Sequence, residues 1–198
     1  MNNIICIAGD SSTGKSFLAN YISSNLEDCL IYECDRYHLY ERNNIIWKTY
    51  TQLNSEYNNL KLLREDLLKL KNNIELYRHE YDHSNGKFTE NKLISPKKYI
   101  IVVGLHTLYD SIIELSNYNI YINVDNDLKN NWKYNRDTSV RNYDKSECLI
   151  HIERRKTDFK KYIEFQINNA NYILNINYDN INITNEYYNE ILKNIKKI

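Results

Sequence analysis

One segment near the start of the chain restricts the fold more than any other feature of the sequence. Residues 9–16 read GDSSTGKS and match the pattern GxxxxGK[ST] at every fixed position. An apolar, β-rich run over residues 4–8 comes directly before the segment, and a helical pattern that starts at Phe17 comes directly after it. In that context the glycines let backbone amides and a helix N-terminus surround phosphate oxygens. The segment therefore predicts a phosphate-binding loop between a strand and a helix.

The loop predicts a bound nucleoside triphosphate with Mg²⁺ as the accompanying ion. Lys15 is the side chain that reaches the β- and γ-phosphates of a triphosphate, and the hydroxyl of Ser16 is a ligand for Mg²⁺. The predicted nucleotide-binding residues in this part of the chain are Gly9, Asp10, Ser11, Ser12, Thr13, Gly14, Lys15, Ser16 and Phe17. The loop does not define the reaction, because regulatory GTPases, motor ATPases and small-molecule kinases share it.

Five short β-rich runs alternate with longer helical patterns along the chain. This alternation is typical of βα units and predicts an α/β fold of three α/β/α layers around a mostly parallel sheet. The run at residues 99–103 is the most continuously apolar and is predicted to be the central strand, buried on both faces. The predicted strands are 4–8, 29–34, 99–103, 120–124 and 172–176.

Apolar residues at three-and-four spacing predict the helices and the faces that pack on the core. They are Phe17, Leu18, Tyr21, Ile22 and Leu26; Tyr57, Leu60, Leu63, Leu67, Leu70 and Ile74; Leu149, Ile152, Phe159 and Ile163; and Tyr188, Ile191, Leu192, Ile195 and Ile198. Residues 79–96 carry turn signals and little helical period, which predicts an inserted hairpin that roofs a pocket. No linker or repeat divides the sequence, so we expect one domain over residues 1–198.

The charge balance argues against a nucleic-acid or membrane partner. Lysine plus arginine equals aspartate plus glutamate, 26 against 26, and no apolar run approaches the ~18 residues that cross a membrane. The N-terminus lacks the basic flank and long apolar core of a signal peptide. The four cysteines have no metal-ligand spacing, which suits a reducing compartment. We therefore expect a cytoplasmic protein with a small-molecule substrate, and the sequence leaves a homo-oligomer open.

A cluster of polar residues follows the second predicted strand. Residues 33–38 read ECDRYH, and Arg42 comes shortly after them. Ligands bind at the carboxyl ends of the strands in an open parallel sheet, so we expect Asp35 to face the phosphate-binding loop. A carboxylate there can accept the proton of an attacking hydroxyl, as phosphoryl transfer to an alcohol requires. His38 and Arg42 are then candidates to hold an anionic or polyhydroxyl substrate.

From residue 4 to about residue 174, the sequence resembles the phosphoribulokinase and uridine kinase family. GDSSTGKS resembles the family's GDSxxGKS loop, and ECDRYH resembles its acidic strand end. The resemblance implies an ATP-dependent kinase that phosphorylates a hydroxyl of a small sugar-containing metabolite. It also implies that Asp35 is the catalytic base and that His38 and Arg42 bind the substrate.

Two further motifs extend the resemblance to the acceptor side. YDHSNGKF, residues 81–88, resembles the substrate-loop hairpin of phosphoribulokinases and implies acceptor contacts from Tyr81 and His83. GLHTLYD, residues 104–110, is similar to the GLHPMYD of phosphoribulokinases rather than to the GILAFYD of uridine kinases. It adds His106 to the candidate substrate-binding residues. These two motifs favour the phosphoribulokinase branch.

Residues 132–160 resemble the family's lid and the helix that follows it. WKYNRDTSVR, residues 132–141, is similar to WKxxRDxxxR. The resemblance implies that Arg136 contacts the substrate and that Arg141 closes over the nucleotide phosphates. It implies that Asp137 is catalytic, because an aspartate beside these arginines can hold Mg²⁺ or orient an arginine.

A last motif lies in the helix after the lid. IERRKTDFKKYI, residues 152–163, is similar to the family's IEARKPDFDAYI. The resemblance implies sugar-phosphate contacts from Arg154 and Arg155.

The match fails at Val103. The family carries a glutamate directly before GLH, where it supports Mg²⁺ as a Walker B acid, and this chain has Val103 at that position. The ion then depends on Ser16 and Asp35, or on another acid such as Glu33 or Asp137. A nucleotide-binding protein with weak or no catalysis is therefore one alternative function.

The identity of the acceptor stays open. The motifs favour ribulose 5-phosphate or a related pentose phosphate. Phosphoribulokinases continue well past the counterpart of Leu174, whereas this chain closes after a short strand and one helix, as the compact uridine kinases do. That length favours uridine or cytidine as the acceptor.

Overall fold

The structure, a computed structural model, describes residues 1–141 and 143–198. Within them the strands are β1 (Asn3–Gly9), β2 (Cys29–Glu33), β3 (Leu76–Arg78), β4 (Tyr81–Asp82), β5 (Lys87–Phe88), β6 (Lys92–Ile94), β7 (Tyr99–Val103), β8 (Tyr118–Val124) and β9 (Tyr172–Ile176). The helices are α1 (Lys15–Asn25), α2 (Leu60–Lys71), α3 (Asp110–Ile113), α4 (Asn126–Ser139), α5 (Lys145–Asp158) and α6 (Thr184–Ile195). None of the helices in these two ranges combines the length and the apolar character needed to cross a bilayer.

The five longest strands form one parallel sheet in the order β2-β7-β1-β8-β9. Helices pack on both faces of this sheet, so the predicted three-layer α/β fold is confirmed. The prediction that residues 99–103 form the central strand is wrong, because β1 lies in the middle and β7 lies between β1 and β2. All five residues of β7 are buried. Apolar continuity cannot rank two strands that are both covered on two faces.

The middle strand joins two hydrophobic cores. Ile4, Cys6 and Ala8 of β1 belong to a cluster that includes residues of α2 and α3, while Ile5 and Ile7 belong to a cluster that includes residues of α1 and α6. Successive residues of a strand point to opposite faces, and all five of these side chains are fully buried. The carboxyl end of β1, where the phosphate-binding loop begins, is therefore held from both sides of the sheet.

Four apolar residues predicted to face the core are exposed instead. Phe17 is 65% exposed, Ile74 53%, Leu149 59% and Ile198 44%. Ile74 and Ile198 lie beyond the last residues of α2 and α6, so the helical spacing no longer applies to them. Phe17 is in the first turn of α1 beside the nucleotide loop, and the inner face of α5 is supplied by Cys148 rather than by Leu149.

Residues 79–96 form most of a hairpin built from two short antiparallel pairs, β4 with β5 and β3 with β6. The tip turns at Gly86, which has φ +75°. A Cβ on Gly86 would lie 2.4 Å from the Cβ of Arg42, and the carbonyl oxygen of Gly86 accepts a hydrogen bond from the Arg42 amide. The positive φ and the close approach of Arg42 both require glycine at this position. The tip therefore lies directly on the segment that follows β2.

Aspartate side chains start the two helices of the predicted lid region. Asp125 accepts hydrogen bonds from the amides of Asp127 and Leu128 at the start of α4. Asp144 accepts hydrogen bonds from the amides of Ser146 and Glu147 at the start of α5. Such caps satisfy amides that have no partner within the helix, so the sequence itself fixes where both helices begin.

The two-sided core predicts unequal effects for two isoleucine truncations. Ile101 is fully buried in β7, whereas Ile173 is 42% exposed on the edge strand β9. Ile101→Ala is expected to lower the free energy of unfolding by about 2–5 kcal/mol, because it leaves a cavity, and Ile173→Ala by less than about 1 kcal/mol. Urea denaturation measures both values. Equal losses would contradict the assignment of β7 to the interior of the sheet.

Candidate active site

The segment between β1 and α1 has the shape of a phosphate cradle. Gly9 has φ +146°, and a Cβ on it would lie 2.7 Å from the carbonyl oxygen of Ile122 in β8. Gly14 has φ +88° and open space where a Cβ would be, and Ser12 has φ +65°. Glycine adopts such left-handed conformations without strain. The chain can therefore leave the sheet in a tight loop that ends at the first turn of α1.

The cradle opens onto a cavity of about 200 Å³, called the nucleotide cavity below. Its lining includes seven residues of the predicted loop together with Arg141, namely Ser11, Ser12, Thr13, Gly14, Lys15, Ser16, Phe17 and Arg141. The hydroxyl of Ser12 is buried and has no hydrogen-bond partner among the residues that the structure describes. The first amides of α1 also lack partners within the helix. A triphosphate would satisfy these donors, so the cradle fits the phosphates of ATP.

The ammonium of Lys15 is held inside the loop. Its Nζ donates a hydrogen bond to the carbonyl oxygen of Asp10, and Lys15 lines the nucleotide cavity. Burial lowers the pKa of Lys15 to about 8, and attraction from Asp10 and Asp35 offsets only part of that effect. A buried cation with little compensating charge favours an anionic ligand, which the phosphates of a nucleotide supply.

Asp10 faces away from the nucleotide cavity, toward the helices behind the loop. Its carboxylate accepts a hydrogen bond from Arg155 of α5 at 2.8 Å and lies 3.2 Å from Nζ of Lys129 in α4. Burial raises the pKa of Asp10, but the attraction of Arg155 and Lys129 outweighs burial and lowers this pKa to about 2. Asp10 and Gly9 do not line the nucleotide cavity, so they contribute to the cradle through its shape.

Asp35 is positioned by the carboxyl end of β2. A short 3-10 turn over Cys34–Tyr37 follows the strand and directs Asp35 into the nucleotide cavity and into a second cleft of about 410 Å³, called the acceptor cleft below. Oδ1 of Asp35 lies 3.7 Å from Nε2 of His38, and Oδ2 lies 3.6 Å from Nε2 of His83. Burial raises the pKa of Asp35, but these two histidines and Lys15 outweigh burial, and the resulting pKa is lower than usual.

The orientation of His38 follows from its neighbour Asn58. The amide nitrogen of Asn58 donates to the carbonyl oxygens of Gln52 and Asn54, which leaves its oxygen to accept from Nδ1 of His38 at 2.7 Å. Nδ1 of His38 therefore carries a proton, and Nε2 is the atom directed at Asp35. His38 is buried at the floor of the acceptor cleft, where its ring packs edge-on against Tyr81 at 5.4 Å.

The hairpin brings Tyr81 and His83 over Asp35. Nη2 of Arg42 donates to the carbonyl oxygen of His83 at 2.7 Å, and all three side chains line the acceptor cleft. Nε2 of His83 also lies 3.6 Å from a carboxylate oxygen of Glu33. This contact with Glu33 raises the pKa of His83, and Asp35 adds to the effect. The structure therefore places these sequence-predicted acceptor residues around the candidate base.

Asp137 is the centre of a cationic cluster in α4. Its carboxylate accepts hydrogen bonds from Lys133, from Arg136 at 2.7 Å and from Arg141 at 3.3 Å. Arg136 also donates to the hydroxyl of Ser11 at 3.1 Å, which connects the cluster to the phosphate-binding loop. Arg136 and Arg141 line the nucleotide cavity. Because its oxygens are occupied by cations, Asp137 is arranged to orient arginines rather than to receive a metal.

Two sequence-predicted substrate residues lie outside both openings. His106 is buried, its Nε2 bonds to the carbonyl oxygen of Leu53 at 2.8 Å, and burial lowers the pKa of His106 to about 4. Arg154 lines neither the acceptor cleft nor the nucleotide cavity, whereas Arg155 lines the acceptor cleft. A helix turns about 100° per residue, so only one of two adjacent arginines can face the cleft. Motif similarity alone does not identify which one.

Several cleft residues were not assigned roles from the sequence. Lys133, in the matched lid motif, lines the acceptor cleft. Tyr143, just before α5, and His151, in the middle of α5, line it too. The spacing of Lys133 and Asp137, four residues apart on one helix, is the signal that could have identified the first of them. Tyr143 and His151 carry no comparable local signal.

Val103 lies at the carboxyl end of β7, beside the phosphate-binding loop, where it offers no oxygen to a metal ion. Val103 lines the nucleotide cavity and is paired in register with Glu33 of the neighbouring strand β2, which lines the same cavity. Ser16 and Asp35 also present oxygen atoms to this cavity. No cluster of three or more His, Cys, Asp or Glu side chains suited to a metal occurs in residues 1–141 and 143–198.

The buried charge of Asp10 predicts a specific loss of stability in acid. Its folded pKa of about 2 lies below the ordinary 3.8, so its contribution is present above the unfolded value and is lost as the pH falls through the folded one. Between about pH 6 and pH 2, wild type should lose roughly 2 kcal/mol more unfolding free energy than Asp10→Asn. Urea denaturation at each pH measures the difference. The exposed matched control Asp127→Asn should keep the wild-type dependence, and an Asp10→Asn curve parallel to wild type would contradict the assignment.

Curated relatives of this chain are sugar and nucleoside kinases by name. A phosphoribulokinase of Synechocystis sp. is 32% identical over 176 residues, which cover 87% of this chain and 53% of that protein. The chloroplastic phosphoribulokinase of Spinacia oleracea is 28% identical over 193 residues, covering 87% and 48%. A uridine kinase of Staphylococcus carnosus is 29% identical over 144 residues, covering 70% and 69%. The chain thus spans about half the length of these phosphoribulokinases.

Solved structures share the fold. A phosphoribulokinase from Rhodobacter spheroides superimposes with a TM-score of 0.72 at 19% identity, covering 89% of this chain and 70% of that one. A D-glycerate 3-kinase from Cryptococcus neoformans gives a TM-score of 0.62 at 11% identity, covering 89% and 86%. The family model described as the phosphoribulokinase / uridine kinase family matches residues 4–181. With nearly the whole chain matched, this protein belongs to the phosphoribulokinase / uridine kinase family.

Proposed function

We propose that this chain is an ATP-dependent kinase that transfers the γ-phosphate of ATP to a hydroxyl of a small sugar phosphate. The proposed acceptor is ribulose 5-phosphate or a related pentose phosphate. The observation that carries the proposal is that Lys15 and Asp35 line one cavity of about 200 Å³. A cation for the terminal phosphates and a carboxylate for the acceptor proton therefore meet across one opening, which is the arrangement that phosphoryl transfer requires.

The roles of the side chains follow from their positions. Lys15, the loop amides and the hydroxyl of Ser12 hold the triphosphate. Asp35, with its lowered pKa, is unprotonated at neutral pH and accepts the acceptor's hydroxyl proton as that oxygen attacks the γ-phosphorus. The bond from the γ-phosphorus to the β–γ bridging oxygen breaks, and ADP leaves. Arg136 and Arg141 stabilise the charge on the equatorial oxygens.

Mg²⁺ fits the side-chain oxygens that line the nucleotide cavity at the carboxyl end of β2 and the start of α1. Ser16 presents a hydroxyl, and Glu33 and Asp35 present carboxylates, to the nucleotide cavity. Mg²⁺ in such sites is usually bound by one or two carboxylates together with substrate phosphates. When bound, the ion neutralises charge on the β- and γ-phosphates. Val103 offers no oxygen, so we assign the protein ligands to Ser16, Asp35 and Glu33.

The charge of the acceptor cleft supports a phosphorylated acceptor. Five Lys or Arg side chains line it against two Asp side chains, an excess of three cationic residues before any histidine is counted. The cationic residues are Arg42, Lys48, Lys133, Arg141 and Arg155, and the acidic ones are Asp35 and Asp137. Lys48 and Arg42 have no acidic partner within salt-bridge distance in the part of the chain that the structure describes. An anionic acceptor would supply one.

Two alternatives each have an observation in their favour. Trp47, Tyr50 and Tyr81 line the acceptor cleft, and aromatic faces of this kind suit the base of uridine or cytidine. A nucleotide-binding protein with weak or no catalysis is supported by Val103, which places a side chain without oxygen beside the phosphate cradle. The acceptor panel below separates all three functions.

Removal of the proposed base is expected to abolish transfer without abolishing nucleotide binding. With Mg-ATP and a panel of pentose phosphates and nucleosides, we expect ADP release that depends on a pentose phosphate. Asp35→Asn should lower that turnover by about 10²- to 10⁴-fold while the Kd for ATP measured without Mg²⁺ changes little, because Asp35 acts on the acceptor proton and would reach the nucleotide only through the ion. Coupled detection of ADP and isothermal titration calorimetry measure the two quantities, with Asp127→Asn as the matched control.

The outcomes separate the candidate functions. Turnover with uridine or cytidine instead of a pentose phosphate would replace the proposed acceptor. ATP binding without turnover on any acceptor would establish the non-catalytic alternative. Full turnover of Asp35→Asn with the correct acceptor would assign the base to another residue.

Restoration of an acid at position 103 is expected to strengthen the use of Mg²⁺. Val103→Glu adds a carboxylate to the nucleotide cavity and should lower the Mg²⁺ concentration that gives half-maximal ADP release by about tenfold, which corresponds to about 1.4 kcal/mol of added ion binding. Val103→Gln is the matched uncharged control. An unchanged Mg²⁺ dependence would mean that the other oxygens at this edge already hold the ion.

A further inference from the structure

A buried aspartate outside both openings connects the segments that build the acceptor side. Asp66 lies in α2 and is fully buried. Oδ2 accepts hydrogen bonds from the Tyr37 hydroxyl at 2.6 Å and from Nε of Arg78 at 2.7 Å, and Oδ1 accepts from Nη2 of Arg78 at 2.9 Å. The sequence carries a signal for this residue, because Asp66 shares the apolar face of Leu63 and Leu70. An acid on such a face needs partners.

One set of these bonds reaches the segment that carries the candidate base. Tyr37 ends the 3-10 turn that contains Asp35, and its ring packs in the core. Because Tyr37 donates its only hydroxyl proton to Asp66, the adjacent hydroxyl of Tyr32 in β2 donates to Tyr37. The carboxylate therefore holds the end of β2 and the turn through a chain of two tyrosine hydroxyls.

The other set reaches the hairpin. Arg78 is the last residue of β3 and binds Asp66 with the two-bond geometry that fixes a guanidinium in its plane. The next residue, His79, bonds through Nε2 to the carbonyl oxygen of Arg36 in the turn at 2.7 Å. Two residues further on, β4 begins at Tyr81 and leads to His83 above Asp35. The direction of the hairpin is thus set at its base by Asp66.

We propose that Asp66 is a positioning residue for phosphoryl acceptor binding: its buried carboxylate holds the hairpin and the base-bearing turn in a fixed relation, so that His83 and Asp35 meet over the acceptor. This inference rests on the proposed function, in which Asp35 is the base. Asp66 itself touches neither opening. It acts through Tyr37 and Arg78.

The energetics favour a positioning role over simple stabilisation. Burying an ion pair requires removal of water from both charges, and apolar residues of similar volume often stabilise a fold equally well. Apolar side chains at both positions 66 and 78 could thus fill the same space without an ion pair. What apolar neighbours cannot supply is direction, since the guanidinium and the hydroxyl are each held at one angle by one carboxylate.

The test uses two variants and one matched control. Arg78→Met removes the hairpin side of the connection, and Asp66→Asn removes its charge. Lys92→Met removes another ion pair of the same hairpin, Lys92 with Glu80 at 2.7 Å, in which both side chains are largely exposed. If either variant does not fold, Arg78→Lys decides, because it keeps a cation beside the fully buried carboxylate and removes the two-bond geometry, and its effect should have the same direction and be smaller.

Amide hydrogen exchange gives a result that does not depend on turnover. We expect the amides of residues 80–90 to exchange about tenfold faster in Arg78→Met and Asp66→Asn than in wild type, with β1 unchanged, because the hairpin opens more often. The KM for the acceptor should rise about tenfold while the Kd for ATP measured without Mg²⁺ stays within about twofold, since the hydrogen bonds of Asp66 go to Tyr37 and Arg78 and not to the phosphate-binding loop. Lys92→Met should match wild type in all three.

Each contrary result has a definite meaning. Unchanged exchange in both variants, or equal acceleration in Lys92→Met, would overturn the proposal. Faster exchange with an unchanged KM for the acceptor would also overturn it, because the hairpin would then not position the acceptor residues. If wild type phosphorylates no acceptor, the proposed function and with it the positioning of an acceptor are wrong, and the exchange data still show separately whether Asp66 holds the hairpin.

Discussion

Asp10 joins the phosphate-binding loop to the helices behind it. Its carboxylate binds Arg155 of α5 and Lys129 of α4, and its carbonyl oxygen accepts from Lys15 and from the hydroxyl of Thr13. Because all three charged groups are buried, removing the carboxylate would leave Arg155 and Lys129 without this partner, which costs several kcal/mol. The curve of the loop, the place of the Lys15 ammonium and the positions of α4 and α5 behind the loop are therefore fixed together.

Carboxylates that bind cations recur across the site, and each has a different role. Asp137 gathers Lys133, Arg136 and Arg141 and directs arginines toward the nucleotide cavity. Asp66 binds Arg78 at the base of the hairpin and Tyr37 in the turn after β2. Asp35 differs from these acids because its close neighbours are two histidines at 3.6 and 3.7 Å rather than a hydrogen-bonded arginine. It keeps a lowered pKa and still faces an open cleft, which is the combination a proton acceptor needs.

Local patterns in the sequence were sufficient for the layers of the fold and for the phosphate cradle. Alternating β-rich and helical runs specify parallel βα units, and GDSSTGKS has a fixed backbone consequence. Side-chain direction was harder to predict. His106 and Arg154 lie in matched motifs yet do not reach the cleft, and Phe17 continues an apolar stripe yet lies in the open. Direction depends on which helix turn or loop meets the neighbouring element, and that information is held in contacts between distant residues such as Asp66 and Arg78.

Glu33 and Val103 are paired in register at the carboxyl ends of the neighbouring strands β2 and β7, so they occupy equivalent positions in the sheet. Neighbouring strands lie about 4.8 Å apart, and residues paired in register point to the same side of a parallel sheet. A carboxylate on either strand end is consequently near the same point beside the phosphates. Glu33 therefore places a carboxylate beside the position where Val103 offers none, without any movement of the backbone. An alignment along the chain compares one position at a time and would record only the valine.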